Sequence, residues 1–291
     1  MAVSSPIEGP LTQRDHSMAR SGAIKTVFCT SGGVLGATVL QVLLRDPDFK
    51  IVGLVRSNRV FRAELGFLRG AACFFYRCGV LYTVYIWLIT TAAEFLGSIL
   101  RSEGISVGTA ASNRDIPQLI TRDVNSKEGR QFLSSLGPDL MVAAHFDQKL
   151  DPDLCDGQAH AAVNLHPSLL PMHRGVEPLV QSLLSNASEA GITLHRLSEQ
   201  IDRGRILNAK REAKRAEESV FSLGCSLMES GARLLVSSKS ELLDRTSGTQ
   251  QEEGGSYESW PTAQDILALY RKGGALMRIQ DLPRLFGFEC R

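Results

Sequence analysis

Residues 25–55 read KTVFCTSGGVLGATVLQVLLRDPDFKIVGLV, and this stretch decides the fold. Lys25–Thr30 is a short run of β-branched and aromatic residues, as a buried strand requires. Ser31-Gly32-Gly33 then turns the chain. From Val34 to Leu44 apolar residues recur at helical spacing until Asp46-Pro47 stops them, and Lys50–Val55 is a second apolar run. Strand, glycine turn, helix, strand is how a parallel α/β sheet begins.

Downstream the pattern continues. A short apolar run spans Gly104–Gly108, and Lys127–Leu136 is a polar helix candidate closed by Gly137-Pro138. Asp139–Ala144 (DLMVAA) reads as a buried strand, and residues 159–165 (AHAAVNL) as the next, leading into His166-Pro167. Gly191–Leu197 and Gly204–Lys210 are two short strands with only Ser198–Arg203 between them, which predicts an antiparallel extension of the parallel sheet. A long helical pattern follows over Glu217–Leu243. Thr246–Tyr257, rich in Gly, Ser and Glu, is expected to be a mobile loop, and Thr262 to cap a last helix. Residues 1–24 are polar, broken by Pro6, Gly9, Pro10 and Gly22, and lack the apolar stretch of a secretory signal; a flexible tail is expected. The domain organisation expected is a main domain at 25–210, containing an insert at 59–100, and a helical appendage at 211–291.

Composition sets outer bounds. With 43% hydrophobic and 22% charged residues, the 291-residue chain can bury a substantial core. A formal charge of +1 provides no global field for nucleic acid or acidic membrane. Cys29, Cys73, Cys78, Cys155, Cys225 and Cys290 are scattered without a C-x-x-C pair, which reads as reduced thiols in a cytoplasmic protein. No His, Cys and Asp spacing suits a metal, so none is expected.

Gly79–Leu100 (GVLYTVYIWLITTAAEFLGSIL) is unusual in carrying one charge, Glu94. On length it suffices to cross a bilayer. A span would place the halves of one sheet on opposite sides of a membrane. The reading taken is therefore a helical insert packed on the sheet or on a partner, as in a homodimer; a peripheral membrane contact is the alternative.

The chemistry concentrates in Val163–Pro178 (VNLHPSLLPMHRGVEP). Asn164 and His166 sit two apart at a strand end, so both side chains leave one face, and Pro167 forces the chain out of the strand directly afterwards. The carboxyl edge of such a sheet is where open α/β folds place ligands. Asp202 lies in the turn between the two later strands. An amide and an imidazole that donate hydrogen bonds, with a carboxylate that accepts a proton, suit attack of an amine on a carbonyl carbon; from the residues alone, an Asn-x-His pair that braces the loop and an Asp-x-Gly that only turns the chain are the alternatives.

The series NLHPSLLP, R-G-x-x-P, G-I-T-L and I-D-R-G-R-I-L, running from Asn164 to Leu207, resembles the folate-dependent formyltransferase family, which includes methionyl-tRNA formyltransferase, glycinamide ribonucleotide transformylase and the sugar N-formyltransferases. The resemblance implies a three-layer, Rossmann-like α/β domain with a mostly parallel sheet, an antiparallel extension, a helical insert and a small C-terminal appendage. It assigns Asn164 and His166 to the oxyanion and proton-donor roles and Asp202 to anchoring and proton transfer. It places the pteridine of 10-formyltetrahydrofolate, the expected cosubstrate, between Phe146, Gln148 and Leu150 on one side and Ser198, Glu199, Gln200 and Ile201 on the other, largely through backbone. Ser168 and Arg174 fall in the loop facing the acceptor, and Gly32 and Gly33, at a helix start, are candidates for an acceptor phosphate.

The reaction implied is transfer of a formyl group to a small-molecule amine. The alternatives are hydrolysis of 10-formyltetrahydrofolate, a methionyl-tRNA formyltransferase-like activity, or a non-catalytic module docked to a membrane or partner. The tail after Lys210 looks short for the barrel that methionyl-tRNA formyltransferase carries, so a nucleic-acid acceptor is disfavoured, although Arg56, Arg59, Arg62, Arg69 and Arg77 have the charge for phosphate contacts. His145, His160 and His195 are further histidines near the site. His145 ends the strand before the pocket, and His195 is read as packing.

Overall fold

The computed structural model describes residues 22–61, 64–151, 153–154 and 161–287. The tail over residues 1–21, residues 159 and 160 of the expected strand, Arg62, Cys155, His160 and Cys290 lie outside the described residues. Strand β1 (Ile24–Thr30), helix α1 (Gly33–Arg45) and strand β2 (Phe49–Ser57) follow in the predicted order. Strands β3 (Gln118–Thr121), β4 (Leu140–Ala144), β5 (Ala161–His166), β6 (Arg174–Gly175), β7 (Glu189–Arg196), β8 (Ile206–Ala213) and β9 (Tyr257–Glu258) come later. Seven of them form one sheet in the order β3-β2-β1-β4-β5-β7-β8. Its first five strands run parallel, and β5–β7 and β7–β8 pair antiparallel. The fold is thus the mostly parallel α/β sheet with an antiparallel extension that the sequence predicts.

Alternation along the central strands sorts side chains to two cores. Phe28, Val142 and Val163 face one; Val27, Cys29, Met141, Ala143 and Ala162 face the other. All five residues of β4 are buried, as a strand covered on both faces must be. The first core receives α1 and the helix Val220–Ser237, whose Phe221, Leu223 and Leu227 are fully packed. That helix is a layer of the main domain, and residue 210 falls inside β8 rather than at a boundary. Ser219 and Thr262 cap their helices through reciprocal side-chain and backbone bonds. β3 is too short to show a periodicity in the sequence, and Gly104–Gly108 leads into a helix, Val107–Ser112, capped by Ser106.

The insert is helical over most of its length. Helix α2 (Phe67–Trp87) is broken at Gly79 (φ 76°), a single π turn spans Leu88–Ala92, and helix α3 (Ala93–Leu100) completes the segment. Gly70, Phe74, Cys78, Tyr82, Tyr85, Ile89, Ala93 and Gly97 recur every three or four residues and turn inward. By length and composition the segment is sufficient to cross a membrane, yet Tyr82 and Ile89 belong to the same core as the sheet.

The start of α1 is wedged against this insert. Gly33 has φ +68°, and a Cβ there would lie 1.9 Å from the Ile89 carbonyl oxygen. Gly137 shares the left-handed conformation (φ +51°) but faces open space. Gly33→Ala should therefore cost about 3 kcal/mol or more, from strain plus a backbone clash. Gly137→Ala should cost about 1 kcal/mol from the backbone alone. Thermal unfolding of the two variants checks the contrast.

Candidate active site

β5 parity brings the first two groups together. Asn164 and His166 lie on the same face as Ala162, and Pro167 ends the strand at once. β7 pairs alongside in a register that sets His195 directly across from Asn164. The turn after β7 then returns Asp202 to the same spot. Asp202 adopts φ 54°, a left-handed conformation that aspartate tolerates better than most residues.

The carboxylate of Asp202 is the hub. Its Oδ1 lies 3.4 Å from Asn164 Nδ2 and 3.5 Å from His195 Nε2, and its Oδ2 lies 3.6 Å from His166 Nδ1. The Gly175 N–H donates to Oδ2 at 2.8 Å. Burial by itself would raise this carboxyl's pKa. The His166 charge, the hydrogen bond and charge of His195 and the Gly175 N–H outweigh burial and hold it well below the usual carboxylate range. Asp202 is therefore ionised at neutral pH.

The ring protons follow from the acceptors. His195 Nδ1 lies 2.8 Å from the Arg196 carbonyl, which only accepts, so Nδ1 carries a proton; Nε2, between Asn164 Nδ2 at 3.2 Å and Asp202 Oδ1 at 3.5 Å, accepts from the amide when the ring is neutral and donates to the carboxylate when it is charged. His166 Nε2 donates to the His173 carbonyl at 2.8 Å. Burial pulls the pKa of His166 below the ordinary histidine value, while Asp202 and the His173 carbonyl push it up. Burial prevails, so the neutral ring is favoured, with the Asp202 carboxylate behind it to back an imidazolium.

Two cavities meet here. A pocket of about 170 Å³ is lined by Asn164, His166, His195 and Asp202 together with Phe146, Gln148, Leu150, Ser198, Gln200 and Ile201. A cleft of about 1190 Å³ opens beside it. The two share Ile86, His145, Phe146, Asp147, Val176 and Glu177 as lining. His145, at φ 48°, sits at this junction; its Nδ1 has no hydrogen-bond partner among the described residues, and burial lowers its pKa to about 4.

The other candidates take varied places. The side chain of Gln148 is held by Val124 N, Ser57 Oγ and the Thr121 carbonyl, so what it offers the pocket is its backbone. Glu199 is not among the lining residues. Ser168 donates to the Met172 carbonyl, and its own carbonyl accepts from Thr193 Oγ1, which braces the loop. The Arg174 backbone joins β6 to β9, and neither Ser168 nor Arg174 lines either cavity. Gly32 N–H donates to Thr30 Oγ1, and Gly33 N–H donates to Glu94 Oε1 at 2.8 Å. The helix start proposed for an acceptor phosphate thus already holds a carboxylate. Glu94 also accepts from Val107 N, Gly108 N, Ser106 Oγ and Arg56, the last at 2.7 Å.

Several participants escape sequence reading. His195 was legible only through its register with Asn164. Gln251 donates from Nε2 to the carbonyls of Asp202 and Gly204 and so fixes the Asp202 turn. Ser256 and Glu258 pair with residues 173–176, so the stretch expected to be a mobile loop is tied at its end to the loop that follows His166. Glu177 caps the helix Pro178–Leu184 and accepts from the Tyr82 hydroxyl, joining the insert to the site loop. No local pattern announces contacts made across such long intervals.

A model of the formyl transferase family matches residues 85–238, more than half of the chain. The chain belongs to that family. Methionyl-tRNA formyltransferase from Halalkalibacterium halodurans is 35% identical over 130 residues, which are 45% of this chain and 41% of the relative. The enzyme of the same name from Halorhodospira halophila is 34% identical over 173 residues, 54% of this chain and 56% of that one. The chain thus spans about half the length of these curated relatives. Among solved structures, the N-formyltransferase from Helicobacter canadensis in complex with folinic acid and dTDP-3-aminofucose aligns with a TM-score of 0.54 at 18% identity, covering 84% of this chain and 72% of that one. Phosphoribosylglycinamide formyltransferase from Anaplasma phagocytophilum aligns with a TM-score of 0.52 at 17% identity, covering 81% and 98%. These likenesses fix the fold.

Two outcomes follow from the hub. Since Asp202 raises the pKa of His166, Asp202→Asn should move the His166 titration midpoint to lower pH, read by NMR of the ring; an unmoved or raised midpoint refutes the coupling. The folded-state pKa of Asp202 lies below the unfolded value near about 4. Its carboxylate therefore stabilises the fold above that pH, and the contribution is lost as pH falls toward the lower folded value. Urea unfolding should show a smaller acid-side loss of stability in Asp202→Asn than in the parent.

Proposed function

We propose that this chain transfers a formyl group from 10-formyltetrahydrofolate to the amine of a small acceptor. The observation that carries the reading is the convergence of Asn164, His166 and Asp202 on one pocket whose remaining lining includes 146–150 and 198–201. Membership of the formyl transferase family and the folinic acid bound by the Helicobacter canadensis structure support a folate donor. Exposed main chain suits a pteridine edge, with its alternating donors and acceptors.

The donor supplies an activated formyl carbon. The protein's groups then act on charge and protons. Asn164 and His166 line the pocket, and in this mechanism their N–H groups meet the negative charge that builds on the formyl oxygen as the amine attacks, His166 exchanging its bond to the His173 carbonyl for that role. One such preorganised donor is worth about 2.7–4 kcal/mol of barrier. Asn164 has one long contact to Asp202, at 3.4 Å, that it can exchange for this role. Asp202, ionised at neutral pH, steadies His166 when it is charged and accepts the amine's surplus proton through a water; the oxyanion then re-forms the carbonyl as the C–N bond to tetrahydrofolate breaks, and the departing nitrogen takes up that proton. The wide cleft adjoining the pocket is the natural approach for the acceptor.

A small acceptor fits better than a nucleic acid. Arg56 is paired with Glu94, Arg59 donates to the Arg122 and Asp147 carbonyls, and Arg77 donates to the Trp260 carbonyl. Three of the arginines nominated for phosphate contacts are thereby held by the protein itself.

Tetrahydrofolate release that requires an added amine is the expected result; equal release with water alone makes the chain a hydrolase. His166→Ala and Asp202→Ala should each lower turnover by about 100-fold or more while circular dichroism shows a folded chain. A variant with near-full activity removes that residue from the mechanism. The rate should also rise with pH along the limb set by the acceptor amine, because only its neutral form attacks.

A further inference from the structure

The outward face of the insert is at odds with a water-facing helix, which normally turns polar residues to solvent. Leu68 is 81% exposed, Tyr76 91%, Phe95 68% and Ile99 63%, and Val80 and Val84 are exposed with them. The outward charges between Phe67 and Arg101 are all cationic: Arg69 and Arg101, with Arg77, whose Nε is bonded to the Trp260 carbonyl but whose side chain stays exposed. The one acid in that stretch, Glu94, is turned inward onto Arg56 and the helix starts. Large apolar residues, a tyrosine and a tryptophan (Trp87), with arginines and no outward acid, are the composition of a surface that lies in a headgroup layer.

We propose that residues 67–100 dock flat on a lipid bilayer bearing anionic headgroups. A full span is ruled out by the inward face, since Tyr82 and Ile89 are packed in the protein core. A second copy fits worse, because self-association would bring guanidinium groups together with no outward acid from this face to oppose them. The cleft supplies the functional link. Phe67, Trp87 and Phe95 line it and also stand more than half exposed, so it opens on the docking face. On the proposed formyl-transfer reading, the acceptor is then an amine on an amphiphile with an apolar tail held in the membrane, its polar end reaching inward to Asp147 and Glu177.

The test uses the full chain and phospholipid vesicles, either wholly zwitterionic or mixed with anionic lipid. Co-sedimentation should favour the mixed vesicles by at least about tenfold and weaken with added salt. The double variant Val80→Glu, Val84→Glu alters two exposed residues outside both cavities, so it should keep its melting temperature yet lose about tenfold or more of vesicle binding. Arg69→Glu should reduce the anionic preference. Absence of vesicle binding overturns the proposal, as does binding that the double variant leaves unchanged. A dimer seen by light scattering that the double variant abolishes, without vesicle binding, assigns the face to a second copy instead.

Tetrahydrofolate release is measured in parallel with a short soluble amine and with a long-chain amine carried in vesicles. The parent should prefer the vesicle-borne amine, and the double variant should lose that preference while keeping its rate on the soluble one. A chain that binds vesicles but releases no tetrahydrofolate refutes the transfer reading and leaves docking intact. A chain that is active and ignores vesicles refutes docking alone.

Discussion

The site depends on one carboxylate held where burial would otherwise protonate it. Asp202 stands in a left-handed turn and answers to groups from β5, from β7 and from the loop at Gly175. Take that charge away and two imidazoles and an amide are left packed against one another with no common acceptor. Its own main chain is pinned in turn by Gln251, almost fifty positions further on. The seam where the parallel half of the sheet meets the antiparallel half is therefore fixed by electrostatics as much as by the strand ladder.

Around that hub the molecule divides its labour. The small pocket is lined by the strand-end polar groups with residues 146–150 and Ser198, Gln200 and Ile201, whereas the large cleft is lined mainly by residues of the insert and of the loops behind it. The buried contact between Tyr82 and Glu177 links the two, because Glu177 also caps the helix that leaves the site loop. Displacement of the insert would be felt at Gly175, and through it at Asp202.

Most of the architecture was legible in the sequence, because alternation and helical spacing are local. The opening strand–turn–helix–strand, the buried β4, the closely spaced antiparallel pair and the cap at Thr262 each announce themselves within one continuous stretch of about thirty residues or fewer. Asn164 and His166 were legible for the same reason, since their shared face follows from being two apart before a proline. β3 was not, being only four residues at a sheet edge, too few for its alternate buried positions, Leu119 and Thr121, to stand out as a pattern. The contributions of His195, Gln251 and Glu258 depend on how distant strands and loops register, and no single window of sequence carries that. The phosphate reading of Gly32-Gly33 met a different obstacle: the N–H was there, but its partner comes from sixty residues away.

Glu94 occupies a site that would otherwise suit a free anion. Gly33 N–H, the start of the helix at Val107 and Arg56 together make a receptor for negative charge, and the chain fills it with a carboxylate of its own. A tethered group competes at an effective concentration of roughly millimolar or above, however dilute the protein. Any free anion must outbid that standing occupant before it can settle on these helix starts. Changes in free phosphate should thus leave this corner of the protein undisturbed.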